Sequence, residues 1–595
     1  WLSSMTGAQP TWIQYEFDRV YKLHQMWVWN HNTSIEPILG FGVKDVTIEY
    51  SSDGANWATL DTTHEFARAP GMPGYAHNTT VDMAGVPAKY VKLTANSNWG
   101  GVLPQYGLSE VRFFYIPVLA REPDPASGAT DVPVATIGQT IDVFLSFIAG
   151  REAASHNVYF STDQQAVIDG TAPVTTVSQA SYGPLSLDLD KTYYWRVDEV
   201  NEAETPTTWQ GNVWNFSTQK SLVVDDFEDY NDFEPDRIFD TWIDGWGVAT
   251  NGSQVGYAEP SFVEKKIVHG GAQSMPFFYD NTGGVAYSEA ERTWAVPQDW
   301  NWKGVTALVL WFRGNPVAFQ ESPPGTFTMS ADGADIWGSR DEFRYAYKQL
   351  NGNGSIVAQV LSVDHTHNWA KAGPMIRETL DPGSKFAAVY ITPGNGCRFQ
   401  LRSTTNGSAS SDSSVATAEQ KAITAAYWVK LERSGNAFSA YYSSDPATDP
   451  WHLMVWSPQT IAMPPNVYIG LALTSHASGV TCVAKFSDVS TTGAVTGPWQ
   501  VAEIGVAQPA NTAAPLYVSL ADSANKTATV KHPDAAATTI SAWTQWNVDL
   551  AEFTGVNPRS IKKMIIGVGD KANPQPASGL VYFDDIGLYP PQPAQ

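Results

Sequence analysis

The stretch Val223-Val224-Asp225-Asp226-Phe227-Glu228-Asp229-Tyr230 and a second one, Val581-Tyr582-Phe583-Asp584-Asp585-Ile586-Gly587-Leu588-Tyr589, decide how this 595-residue chain divides. Both read as short strands crowded with carboxylates. Apolar and acidic residues alternate, which puts Asp226 and Glu228 on one strand face, with Asp584 or Asp585 beside them if the strands pair. Four carboxylates so close repel one another unless a cation sits among them, and hard oxygen ligands suit calcium. The competing reading is a solvated edge whose acids discourage pairing with other chains. If the strands do pair, one domain opens near residue 221 and closes near 590. Whatever lies between is then either that domain or an insertion into it.

Length and composition set the frame. The chain is too long for one hydrophobic core, so about three to five domains are expected. Apolar residues make up 43% and charged residues only 16%, while 47 Gly, 38 Pro and 23 Trp suit many short strands joined by tight turns. The expected fold class is all-β: a multi-domain chain of β-sandwiches and jelly rolls, one of them discontinuous. A net charge of −24 argues against nucleic-acid or anionic-membrane partners, which need a basic footprint. No run of about 18 apolar residues offers a membrane span. Cys397 and Cys482 form one disulfide or stand as buried thiols. The chain begins at Trp1 inside a folded module, so an N-terminal portion is expected to precede it. Low lysine and tandem β-modules point to a secreted or cell-surface location.

Four segments follow in order. In residues 1–117 the runs Trp12-Ile13-Gln14-Tyr15-Glu16-Phe17, Val46-Thr47-Ile48-Glu49-Tyr50-Ser51 with Asp53-Gly54 and Trp57, Tyr90-Val91-Lys92-Leu93, and Gly107-Leu108-Ser109-Glu110-Val111-Arg112-Phe113 succeed one another. This series resembles a discoidin (coagulation factor 5/8 type C) domain. The resemblance implies a β-sandwich that binds glycans or other surface ligands, and Glu110 matches a family position that often helps hold calcium. Residues 118–219 carry Thr192-Tyr193-Tyr194-Trp195-Arg196-Val197 and Val213-Trp214-Asn215-Phe216-Ser217-Thr218 and resemble a fibronectin type III spacer, with a tyrosine tying its hydroxyl to the backbone of the preceding loop.

Residues 220–325 and 493–592 together resemble a jelly-roll carbohydrate-binding module, from the acidic strand through His269-Gly270-Gly271 to the final Asp584-Asp585 strand. In such modules these three elements commonly hold a structural calcium. Residues 326–492 interrupt it with Phe343-Arg344-Tyr345-Ala346-Tyr347, Gly373-Pro374-Met375-Ile376-Arg377-Glu378 and Tyr468-Ile469-Gly470-Leu471-Ala472-Leu473. That segment resembles the concanavalin-like sandwich family labelled "regulation of enolase", which implies no known chemistry. Insertion at a loop tip is the usual tolerated route for such a domain.

Sugar binding asks for exposed aromatic faces with polar groups beside them. In the first segment Trp29, Asn30, His31, Asn32, His77, Asn78 and Trp99 lie in or beside turns, which gather at one end of a sandwich. In the jelly roll Trp242, Trp246, Tyr257 and Tyr279 are the candidates. Trp57, Trp195 and Trp311, inside strong strand patterns, are assigned to cores. Glycoside hydrolysis needs two carboxylates across a cleft. Asp335, Glu342, Asp364 and Glu378 are available, with His365 and His367 nearby. The plainer reading makes Arg377 and Glu378 neighbours facing opposite sides, and residues 364–367 a polar turn. No nucleophile elbow, zincin helix, P-loop or dinucleotide fingerprint occurs in its required context. Three functions follow: a non-catalytic extracellular glycan-binding or adhesion protein with a polysaccharide or cell-surface glycan as partner; a self-assembling matrix, surface-layer or filament subunit; or a carbohydrate-active enzyme or its accessory part.

Overall fold

A computed structural model describes residues 1–591; residue 592, the expected end of the jelly roll, lies outside the described residues. The chain is all-β and falls into two compact units, one of residues 1–134 and 141–219, the other of residues 135–140 and the described residues from 220 onward. Among the described residues the longest helix is Gln164–Asp169, started by Asp163, whose side chain accepts the Gln165 and Ala166 amides. Both cysteines are free, buried thiols.

The first unit holds two sandwiches. In one, the antiparallel order is Ala58–Thr59, Asp45–Ser51, Thr79–Ala95, Thr11–Asn30, Leu108–Tyr115. Alternation along these strands sends Met26, Val28, Val46, Ile48, Val91 and Leu93 into one core. In the other, Ser155–Ser161, Thr192–Val200 and Val213–Thr218 form the main sheet, and the Asp188 amide donates to the Tyr193 hydroxyl at 3.1 Å. Lys22 pairs with Glu152 at 3.0 Å between the two sandwiches of this unit.

In the second unit the strands Leu222–Asp225 and Ser578–Tyr589 pair antiparallel, Leu222 opposite Leu588 and Asp225 opposite Ile586. Ser253–Val255, Met275–Asp280, Ala307–Arg313 and Thr544–Asp549 complete that sheet, while Tyr287–Gln298, Ile561–Gly569, Leu516–Asp522 and Thr527–Lys531 form a second. Strands from both sides of the interruption thus share both sheets, interleaved in the first, while in the second Tyr287–Gln298 forms an edge against three later strands.

The interrupting segment has its own thirteen-stranded sheet, running from Phe319 to Ile504, wider than the 326–492 expected from sequence. Its two long strands, Phe343–Val363 and Cys482–Ile504, pair along their lengths through several register shifts. Such shifts bend a strand, so one chain segment serves both layers of a sandwich. The strands Lys371–Arg377, Phe386–Thr392 and Gly396–Arg402 are buried along their whole length. On one face Ala372, Ile376, Val389, Ile391, Cys397, Phe399 and Leu401 enter the apolar core. Alternation then commits Lys371, Arg377, Tyr390, Arg398, Gln400 and Arg402 to the opposite face, beside Phe343, Tyr345 and Met375.

Candidate functional site

The two acidic segments do meet, but at a different residue from the one expected. The alternation that was to align Asp226 with Glu228 stops at Asp225, because the chain turns at Phe227 with φ +62°. Asp225, not Asp226, is the buried acid. It accepts from the Tyr230 hydroxyl at 2.7 Å, the Trp242 indole at 2.8 Å and the Phe227 amide, and it pairs with Arg292. Burial pushes its carboxyl upward while the Arg292 charge opposes that shift.

Glu228, Asp584 and Asp585 instead clasp the turn His269–Gln273. Glu228 accepts the Ala272 and Gln273 amides at 2.9 Å, and Asp584 accepts the His269 amide at 2.7 Å. Asp585 bonds the His269 ring, which stacks on Trp311 at 3.7 Å. A Cβ on Gly271, where φ is +57°, would stand 2.2 Å from Glu228, so the turn favours glycine there, while one on Gly270 would meet the carboxylate end of Asp585 at 2.5 Å. Asp584 is fully buried and desolvation pushes its carboxyl up to about 7. Among the described residues no group of three or more His, Cys, Asp or Glu stands ready to hold a metal. Glu110, in the first unit, is paired with Arg112.

The expected sugar contacts divide sharply. Trp242 and Tyr279 are core residues at 0% and 1% exposure, the tyrosine donating to the Thr512 carbonyl, so neither offers a face to a ligand. Tyr257 bonds Glu264, and Trp246 stands 73% exposed. In the first sandwich Asn30 is buried and donates to the Val43 and Ala67 carbonyls. His31 bonds the buried Glu36, which also accepts the Phe41 and Gly42 amides. Asn32 ties Met72 to Gly71, and Asn78 donates to Ala67. These side chains are spent on closing the loops that carry them. Trp99 donates to the Phe66 carbonyl, Trp29 lies under Arg112, and His77 stacks on Trp27 at 4.1 Å. Of the three tryptophans assigned to cores, Trp195 is fully buried, whereas Trp57 and Trp311 are half-exposed.

The least satisfied polar constellation lies in the inserted sandwich. A cleft of about 320 Å³ is lined by Asp335, Trp337, Trp369, Lys371, Gln400, Ser411, Ser413 and His476. Lys371 sits at the start of its strand, buried, with its ammonium on Asp335. Desolvation lowers the Lys371 pKa and the Asp335 charge opposes that shift. His476, after the strand Asn466–Thr474, has Nδ1 3.1 Å from Asp335 and stacks on His367 at 4.2 Å; burial holds it below the ordinary histidine range. Arg398 lies over the Trp369 ring. At the base of the same face Asp341 is enclosed by Arg377 and Arg402, all three fully buried.

Asp335 is the one acid among the carboxylates considered for hydrolysis that lines this cleft. Glu342 accepts the Ala334 amide, Glu378 pairs with Lys385, and Asp364 accepts the Val483 amide. His365 bonds Asn368, and His367 Nδ1 accepts the Trp369 amide at 3.0 Å. Sequence reasoning missed Lys371, Trp369, Arg398, Gln400 and His476. The strand Gly396–Arg402 carried the available signal: three long polar side chains alternate there with Cys397, Phe399 and Leu401.

The sequence model of the F5/8 type C domain matches residues 1–106. No curated protein matches the chain. Among solved structures the chain is similar to a functionally unknown protein from Saccharomyces cerevisiae, at 18% identity and a TM-score of 0.23, over 31% of this chain and 96% of that one. It is similar to a GH43 protein from Bacillus licheniformis at 10% identity and a TM-score of 0.21, over 81% of this chain and 100% of that one. A structure of carbohydrate-binding modules from the β-sandwich superfamily has 8% identity and a TM-score of 0.16, over 79% of this chain and 96% of that one. The match to the F5/8 type C model is thus confined to residues 1–106 of an all-β, multi-domain chain.

Proposed function

We propose that this is an extracellular, non-catalytic glycan-binding protein whose principal sugar site is the cleft of the inserted sandwich. The observation that carries the proposal is the pairing of Trp337 and Trp369 at the cleft with Lys371 and Gln400 behind them. Trp337 is 41% exposed and Trp369 half-exposed, so each can offer an apolar ring to a pyranose. Polar groups behind such rings can fix hydroxyls, which is how small-ligand sites obtain orientation. The F5/8 type C domain supports the same reading, and the second sandwich serves as a spacer.

A single acid lines the cleft, so the two-carboxylate arrangement of glycoside hydrolysis has no support there. A polysaccharide panel on the full chain tests both points. Retention of at least one polysaccharide in affinity gels without release of reducing ends supports the proposal; release of reducing ends makes the protein an enzyme. Assembly into filaments without sugar would favour the structural-subunit alternative.

Calcium is a secondary proposal, confined to a structural role at the clasp. Glu228, Asp584 and Asp585 face one turn, and a cation there would offset the desolvation of the Asp584 carboxylate and its repulsion by Asp585. A rise in melting temperature on adding calcium supports it. Unchanged melting in chelator leaves the clasp to its amide hydrogen bonds.

A further inference from the structure

The chain carries a net charge of −24, yet the polar face behind the cleft carries the opposite sign. Lys371, Arg377, Arg398 and Arg402 share that face. Three carboxylates stand against these four cations. Asp341 is taken by Arg377 and Arg402, and Asp335 by Lys371. Arg398 is left with Asp412, a fully buried acid whose carboxyl desolvation pushes up to about 6.

The second observation is unmet bonding. Arg398, Gln400 and Tyr390 are 4%, 2% and 0% exposed. Arg398 Nε and Nη1, the Gln400 Oε1 and the Tyr390 hydroxyl nonetheless have no hydrogen-bond partner in the protein. Buried polar atoms are ordinarily paired, and leaving one unpaired costs about 1–3 kcal/mol. The pattern is specific, too. Two of these groups can donate to an anion, while Gln400, which lines the cleft, can accept from a hydroxyl. Trp369 connects them: Arg398 and Lys371 both lie 5.8 Å from its ring centroid. A neutral sugar stacked on Trp369 would leave the guanidinium unanswered.

Resting on the glycan-binding reading of this cleft, we propose that its ligand is an acidic sugar, stacked on Trp369 with its carboxylate or sulfate received by Arg398 and Lys371 and a hydroxyl received by Gln400. Charge-assisted bonds of this kind are about twice as strong as neutral ones, so the acid group dominates selectivity.

The test is affinity electrophoresis and calorimetric titration of the full chain with polygalacturonate, its fully methyl-esterified form, dextran sulfate and dextran. Binding of polygalacturonate or dextran sulfate, weakened about tenfold or more in the neutral counterpart, is the expected result. Whichever acidic polymer is retained assigns the group as carboxylate or sulfate. Equal binding of acidic and neutral forms overturns this inference while leaving the glycan reading intact. Binding of none of these or of a wider neutral panel overturns the reading beneath it. Arg398→Gln should lose affinity for the acidic polymer alone. The esterified and free-acid comparison needs no variant, so misfolding of that protein cannot obscure the answer.

Discussion

The clasp and the cleft are both built from buried charge, and they differ in whether that charge is answered. At the clasp Asp225, Glu228 and Asp584 accept from amides, an indole, a phenol and a guanidinium. On the polar face behind the cleft Arg398, Gln400 and Tyr390 keep buried atoms without partners, and of the three Gln400 lines the cleft itself. A satisfied polar cluster stabilises a particular fold, whereas an unsatisfied one is tolerated where something else completes it. The acids that drew notice first in the sequence thus have partners within the fold, and the proposed sugar site lies in the insertion.

Four experiments would break or sharpen that contrast. The largest effect is expected from Asp341→Ala, which strands Arg377 and Arg402 in the interior without a counter-charge. Loss of a buried partner typically costs about 3–5 kcal/mol. Calorimetric melting of the second unit should fall accordingly, and a cost below about 1 kcal/mol would mean that this end of the face is solvated.

Next in size is a pH effect from Asp412. Its carboxyl is raised to about 6 by desolvation, against the Arg398 and Lys421 charges and the Phe399 amide, with the Gln420 amide 3.5 Å away. A carboxyl raised by folding favours the folded state below its unfolded value near 4 and loses that contribution as pH rises through 6. About 2–3 kcal/mol is at stake, at 1.4 kcal/mol for each tenfold change. Urea unfolding from pH 4 to 7 should show the decline, and Asp412→Asn should flatten it. If an acidic sugar binds against Arg398, its affinity should survive this change.

Asp225→Asn keeps the acceptor for Trp242 but removes the charge facing Arg292, and a loss of about 2 kcal/mol is expected in the same assay. Gly271→Ala should cost about 1–2 kcal/mol, because φ is +57° and the new Cβ would meet Glu228 at 2.2 Å. If either variant altered sugar binding without altering stability, the clasp would have to be counted as a site.

Much of the architecture was legible because strands advertise themselves through alternation and turn residues. The pairing of Leu222–Asp225 with Ser578–Tyr589 could be read from two acidic strands whose separation implied an insertion. Finer placement failed where local geometry intervened. The positive φ at Phe227 shifted the buried acid by one residue, and the short helix Ile238–Thr241 delivered Trp242 into the core from a stretch that reads as turns. Asn30, His31 and Asn32 had the composition of a binding loop, yet their bonds close the loop itself. The cleft left no contiguous motif, since Asp335, Trp369, Gln400 and His476 come from four separate segments joined by a thirteen-stranded sheet. Only the alternation of Arg398, Gln400 and Arg402 with apolar neighbours foreshadowed a polar buried face.

The most direct test of the central claim compares the full chain with its Trp369→Ala variant, titrated with the polysaccharide retained most strongly. The cleft account predicts at least a tenfold loss of affinity with the melting temperature essentially unchanged, since stacking and cation–π contacts are worth about 1–2 kcal/mol. Equal affinity in the two proteins would contradict it and move sugar binding to another module.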